Sequence, residues 1–459
     1  MKYTVVKSRR QVASALAAAA LLATPLRAQV PARPQAGAAA QGVNEEWRLR
    51  GLQMLAAMRD ELRKNYFDST FRGIDMLGAK YAKAEAAVQA APSLPVMMGA
   101  IATYMGELDD SHTRFLPPSK RAIIDYGFSV RLIGDSAYIS RVKKNSDADA
   151  KGVRRGDRVL AWDVFSISRN NWDTIRYVYL ELNPRPGVQL RLRSPDGTER
   201  TVIAMSKITQ TEQTLDFTDQ NSVNRWIQRS DDEPGEALHT YASIGGDTGV
   251  FYWKMRSFEY GNDDQIDELM KRAKKHRAMV FDLRGNGGGA IDLLLYLIGK
   301  FTDKPLTVGR VYKRREVGAD TAMIAKPTSR QPYQGRVVIL LDSESASSSE
   351  IFARTLQLTG RAIVVGDRSA GAVVGARVFP REVGAGYAEG RVVGYAAYVS
   401  VSDVILPDGK RLEKAGVIPD HLVLPTSSDL AARRDPQLAK ALELLGVTMS
   451  SADATRGGR

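Results

Sequence analysis

Residues 336–350 read RVVILLDSESASSSE, from Arg336 to Glu350: an apolar run rich in β-branched residues, an acidic stop, then small hydroxyl residues opening a helical pattern. This predicts a buried strand delivered into a helix by a sharp turn. The same grammar extends outward. From Thr248 the chain alternates strand GVFYWKM, helix DDQIDELMKRAKK, strand AMVFDLR, helix AIDLLLYLIGKF, strand RVVILLD, helix SSEIFARTLQL and strand RAIVVG. Strands alternating with helices predict an α/β core with a largely parallel sheet, placed over residues 248–445.

A serine on a strand-to-helix turn lies at a helix N-terminus, where unpaired amides and the positive dipole end stabilise a developing oxyanion. That suits acyl transfer. Taken alone, however, Ser347, Ser348, Ser349 and Glu350 spell a capping box that satisfies the first helix amides. What shifts the balance is company elsewhere: the glycine cluster FDLRGNGGG and the histidine of DDSHT.

At 459 residues the chain predicts two to four domains, and 44% hydrophobic residues is ordinary for globular protein. The net charge is +13, but residues 1–28 hold five basic residues and no acid, so the remainder carries +8. Basic residues are scattered among acids without interleaved aromatics, which argues against a nucleic-acid partner. The absence of cysteine excludes thiolate nucleophiles, disulfides and cysteine-ligated zinc. Four scattered histidines give no ligand-spaced cluster, so neither metal nor other cofactor is expected.

Residues 1–28 combine Lys2, Lys7, Arg9 and Arg10 with the apolar run Val12 to Leu26 and read as a cleaved export signal, too short for a stable membrane span. A periplasmic or secreted location follows, with Sec export as the default over a twin-arginine route. Residues 29–43 read as a flexible linker, and 44–118 as a helical region with helices over 45–66, 74–90 and 94–108. Residues 119–207 turn to short strands, including a hairpin at Pro195-Asp196-Gly197. The polar stretch 208–247 is a connector without an assigned element, and the tail 446–459 reads as disordered. The apolar helices leave self-assembly open.

Gly285, Gly287 and Ala290 also satisfy the dinucleotide fingerprint G-x-G-x-x-A. Against that reading, the next strand, LTVGRVY, ends in KRR where a ribose-binding acid belongs. The other use of such a loop is to bring backbone amides close to a substrate. Gly287 or Gly288, with the Ser348 amide, would then form an oxyanion hole. Among the histidines, His276 sits at a charged helix end, His239 in the connector and His421 after a turn, all reading as surface. His112 lies just past a helix between Ser111 and Thr113, hydroxyls able to fix an imidazole tautomer. The residues alone leave it open between bystander and base.

DDSHT, the segments YGFSV and GVRRGDRVLAWD, FDLRGNGGG, SASSSEI and GKRLEKAGVIPDHLV together resemble the C-terminal processing peptidases, or tail-specific proteases, a group that includes the tricorn core. The resemblance covers about 44–445. It implies a multidomain α+β chain: an N-terminal helical region, a PDZ-like β-rich domain, and a core resembling the crotonase-like/ClpP-like spiral fold. It places the nucleophile on Ser347. Relatives with a serine-lysine dyad carry the lysine at the position of Ala372 here, and no lysine occurs between Lys326 and Lys410. The tricorn-like branch instead implies a His112 base with Ser111 and Glu413 orienting it. The PDZ-like segment implies that Tyr126, Gly127 and Phe128 bind a terminal carboxylate, or that the domain only packs or gates. The expected activity is that of an exported serine endopeptidase on unfolded or C-terminally exposed polypeptides. The competing reading is an inactive relative binding peptides or apolar ligands, with a dinucleotide oxidoreductase ranked lower.

Overall fold

A computed structural model describes residues 43–118, 122–210, 237–246, 248–314, 321–383 and 393–457. The expected export signal, nearly all of the linker and most of the connector lie outside these residues. Three helices come first: α1 (Glu45–Asn65), α2 (Ala79–Ala90) and α3 (Leu94–Gly106). Asn44 caps α1 by accepting the Trp47 amide. The expected helix from Ile74 begins instead at Ala79, because the Asp75 carboxylate takes the Gly78 and Ala79 amides and holds a turn there.

Strand β1 (Arg114–Leu116) leads to β2 (Ala122–Asp125), β3 (Phe128–Ile133) and β4 (Ser136–Val142), then α4 (Asp147–Ala150), β5 (Arg158–Trp162), β6 (Phe165–Ser166) and α5 (Trp172–Tyr177). After α5 come β7 (Gly187–Arg193), β8 (Glu199–Met205) and β9 (Lys207–Gln210). The β7–β8 hairpin forms at the expected Pro195-Asp196-Gly197 turn, closed by Ser194 N–H to Thr198 O. Strands β3-β4-β5-β7-β8 form one sheet, with β3 at its edge. Outside it, β2 and β9 pair antiparallel, with Asp125 opposite Lys207, so the chain enters and leaves this body along one ribbon.

The core contains β10 (His239–Ile244), β11 (Val250–Met255), α6 (Asp263–Ala273), β12 (Ala278–Asp282), α7 (Ile291–Ile298), β13 (Leu306–Lys313), β14 (Thr321–Ala325), β15 (Arg336–Leu341), α8 (Ser348–Leu358) and β16 (Ile363–Gly366). It continues with β17 (Gly375–Val383), β18 (Val393–Ile405), β19 (His421–Leu422), α9 (Ser427–Ala431), α10 (Pro436–Leu444) and α11 (Ser451–Gly457). Strands β10-β11-β12-β15-β16-β19 form the main sheet, parallel except at β10. Alternate residues feed its two faces. Phe281, Ile339 and Leu341 pack toward α6, α7 and α8, while Val280, Val338 and Leu340 pack toward α10 and α11.

Three expectations need correction. β10 lies within the polar stretch assigned no element; its side chains alternate on a sheet edge, so they carry no continuous apolar signal. Residues Ser451–Gly457 form α11, and Ala454 is fully buried beside α10, so the tail is ordered by packing its composition did not announce. Finally, β13 leaves the main sheet for a second, antiparallel one ordered β1-β18-β13-β14 with β17 on β18. That sheet draws β1, from the helical region, into the core.

Candidate active site

β15 ends at Leu341, and its turn is stitched to the glycine loop by side chains that sequence pattern did not assign. Asp342 Oδ1 accepts the amides of Gly285, Glu344 and Ser345 at 2.9, 3.0 and 3.1 Å. Asn286 O accepts Ala346 N–H at 2.9 Å and Ser349 Oγ–H at 2.9 Å, and Gly289 O accepts Ser348 Oγ–H at 2.9 Å. At the crest, Ser347 has φ 55° and ψ −118°. A non-glycine residue there stores about 1–3 kcal/mol of strain, a feature shared with nucleophile elbows.

Gly288 lies directly under that crest. A Cβ there would stand 2.6 Å from Ser347 Cβ and 2.9 Å from Ser348 N, so only glycine fits. The Gly288 amide, however, already donates to Asn286 Oδ1 at 2.8 Å and is withdrawn from the expected oxyanion hole. The amides of Gly287 and Ser348 have no acceptor among the described residues. The loop also cannot hold a pyrophosphate: a Cβ on Gly289 would meet Phe258 O at 2.2 Å, so protein backbone fills its close-approach side. With β13 in the other sheet, α7 does not lead directly to the parallel neighbour of β12, which is β15, so the compact βαβ unit of a dinucleotide site is not formed at this loop.

The turn after α3 carries Asp110 to Thr113. Asp110 Oδ1 accepts the amides of His112 and Thr113 at 3.0 and 2.5 Å and the Ser400 hydroxyl at 3.0 Å, fixing this turn against β18. Asp110 was legible only as part of a motif, without a role. His112 Nδ1 is 2.6 Å from Ser111 Oγ, and Ser111 Oγ–H donates to Glu413 Oε2 at 2.9 Å. The Ser111 amide donates to Glu413 Oε1 at 2.8 Å. Since the Ser111 hydroxyl gives its proton to Glu413, it accepts from imidazole Nδ1–H, which leaves Nε2 with a free lone pair.

Electrostatics agree with a neutral imidazole. Burial, helped by the nearby Arg114 charge and opposed by Asp110, pulls His112 down to about 4. Burial raises Glu413, against the amides of Val373 and Ser111. Ser347 and His112 are not hydrogen-bonded to each other, but they share one scaffold. Ser347 N–H donates to Ala372 O at 2.9 Å, and the next amide, Val373, donates to Glu413 Oε2 at 3.0 Å. Ala372 is thus a backbone bridge.

The other histidines are occupied elsewhere. His276 is buried, not on the surface: its Nε2 is 2.8 Å from Ser243 Oγ and its Nδ1 3.0 Å from Arg272 O. His239 Nδ1 accepts the Trp253 indole N–H at 3.2 Å. His421 lies in β19. In the body between β2 and β9, Tyr126-Gly127-Phe128 opens the edge strand β3, and the Gly127 amide donates to Asp125 Oδ1 at 2.9 Å.

Known proteins share this architecture. Residues 249–423 match the model of Peptidase family S41. Over 363 residues the chain is 26% identical to the carboxyl-terminal-processing protease of Picosynechococcus sp., covering 75% of this chain and 78% of that one. It is 34% identical over 143 residues to the tail-specific protease of Haemophilus influenzae, 30% of this chain and 20% of that one. Among solved structures, mature CPAF aligns with a TM-score of 0.62 at 17% identity, covering 84% of this chain and 94% of that one. The photosystem II D1 C-terminal processing protease aligns at 0.50 and 16%, covering 88% and 98%. These two likenesses concern the fold.

The family match and the named relatives make the molecule a serine-type peptidase. Through residues 249–423 the chain matches peptidase family S41, and it is similar to the carboxyl-terminal-processing and tail-specific proteases.

Proposed function

We propose that Ser347 is the nucleophile and His112 the base of an exported endopeptidase acting on unfolded or C-terminally exposed polypeptides. The observation that carries this reading is the unbroken hydrogen-bonded path from His112 through Ser111 to Glu413, and from Glu413 through Val373 and Ala372 to the Ser347 turn. Ser347 Oγ attacks the peptide carbonyl while His112 Nε2 takes its proton. The imidazolium, steadied through Ser111 by Glu413, then protonates the leaving amine, and water releases the acyl group by the same route. Gly287 and Ser348 amides hold the oxyanion.

In this reading residues 119–207 are a PDZ-like domain and 248–445 a crotonase-like/ClpP-like core. The edge position of β3 supports strand addition by a chain end along its first residues, before Leu132 O, which accepts the Ser343 hydroxyl. A terminal carboxylate would compete with Asp125 for the Gly127 amide, so amidated and free-acid peptides distinguish recruitment from packing or gating. No helix among the described residues is long and apolar enough to cross a membrane, which accords with a periplasmic or secreted protein.

The deciding experiment compares wild type, Ser347→Ala and His112→Ala on a disordered polypeptide. Cleavage by wild type alone is expected, with each variant lowered by several orders of magnitude. Equal cleavage by Ser347→Ala, or none by wild type, would favour the non-catalytic peptide-binding reading.

A further inference from the structure

Four consecutive backbone amides carry two carboxylates. Gly371 N–H donates to Glu350 Oε1 at 2.8 Å and Ala372 N–H to Glu350 Oε2 at 2.9 Å. Val373 and Val374 N–H donate to Glu413 Oε2 at 3.0 and 3.4 Å. Glu350 is fully buried and accepts two further bonds, from Ser369 Oγ–H at 2.6 Å and Ser347 N–H at 3.0 Å. Ser369 Oγ itself accepts Val417 N–H at 2.6 Å, which directs its own proton toward Glu350.

Helix capping explains one of these four donors. The other three come from residues 369–372, a segment outside the helix. Each carboxylate oxygen faces two donors: Oε1 meets Ser369 and Gly371, and Oε2 meets Ser347 and Ala372. A glutamine in either orientation would turn an amide nitrogen onto two donors, so the site selects a carboxylate by geometry. Burial pushes this carboxyl up to about 7, against the pull of the Ser369 hydroxyl and of the Ala372, Gly371 and Ser347 amides.

We propose that Glu350 is a positioning residue: by gripping the Ser347 turn and the first half of an amide run whose second half carries Glu413, it sets the placement of Ser347 relative to His112. The proposal rests on the assignment of Ser347 as nucleophile and His112 as base. Residues 371–374 are the spacer, Glu350 and Glu413 its two anchors. Gly371 is the weak link in that spacer. Its φ is +73°, and a Cβ would meet the Lys414 carbonyl carbon at 2.9 Å and Gly416 N at 3.0 Å, so Gly371→Ala must displace the run relative to the Lys414–Gly416 backbone while removing neither carboxylate.

The test uses the full chain and three readouts: the rate of labelling by a fluorophosphonate with the adduct located by mass spectrometry, kcat and KM on a peptide substrate, and thermal unfolding. Glu350→Gln and Gly371→Ala are each expected to remain folded, keep KM, and lose on the order of 10²-fold in both kcat and labelling rate, the scale set by a misplacement of about 1 Å. An adduct on a residue other than Ser347 in wild type would sink the underlying assignment. With the adduct on Ser347, unchanged kcat and labelling in Glu350→Gln, a loss through KM alone, or unfolding of both variants would overturn the positioning role.

Discussion

The base proposed at His112 works only while unprotonated, and its surroundings keep it so. Its pKa lies near 4 instead of the usual 6.5, so protonation, and with it loss of the base, begins only as pH falls toward 4. The acid limb of kcat/KM that belongs to His112 is therefore expected near pH 4, read in Glu350→Gln, where the Glu350 carboxyl no longer titrates. Arg114→Gln removes the positive neighbour, raises the pKa and should move the limb upward; a limb at 6.5, or one that ignores the substitution, would contradict this account. Stability has the same sign. Between 6.5 and 4 an unfolded chain protonates this imidazole more readily than the folded one, so the His112 contribution to stability is lost as pH falls through that window. At this scale the sequence exposed Ser347, His112, Ser111 and Glu413 through motif resemblance. It could not show that the Gly288 amide is spent on its near neighbour Asn286, whose side chain is oriented by the distant Met255 carbonyl, nor that Glu350 has four donors, three of them from residues 369–372.

Strand, turn and helix at 336–358 were legible because the apolar run is buried on both faces and its hydroxyl-rich stop is unmistakable. The departure of β13 was not, since an antiparallel strand in a second sheet has the same local composition as the next parallel one. A similar long-range tie secures the glycine loop from behind. Arg284 bonds Asp282 Oδ1 and Oδ2 at 2.9 and 2.7 Å, and Asp435 Oδ1 and Oδ2, at the start of α10, at 2.9 Å each. Asp282 is fully buried, and the guanidinium holds its carboxyl well below the ordinary range. Arg284→Met strands that charge and should cost about 3–5 kcal/mol, read as a lower denaturation midpoint. A variant as stable as wild type would show the pair to be dispensable.

The molecule as a whole is less modular than its segments suggest. One apolar core joins Met58, Leu62 and Ile101 of the helical region with Val130, Trp172 and Tyr179 of the β3–β8 body and Ala397 and Val399 of β18. Polar ties add to it: Arg169 bonds Asp367 Oδ2 at 2.7 Å and the carbonyls of Arg368 and Ser369. The helical region and the β3–β8 body should therefore unfold in one transition, followed by calorimetry and near-ultraviolet dichroism; an independent transition for residues 119–207 would refute the shared core. Periodicity located both parts but not their union, because it reports which face of an element is apolar and not what that face meets. The β2–β9 ribbon has a different consequence. Since Asp125 and Lys207 are register partners, the intervening body hangs from the backbone as a side branch. A foreign insert could be grafted there without rethreading the strands around Ser347, provided that it covers the apolar faces of the helical region and β18 and replaces the partners that Arg169 and Gly134 give to Asp367.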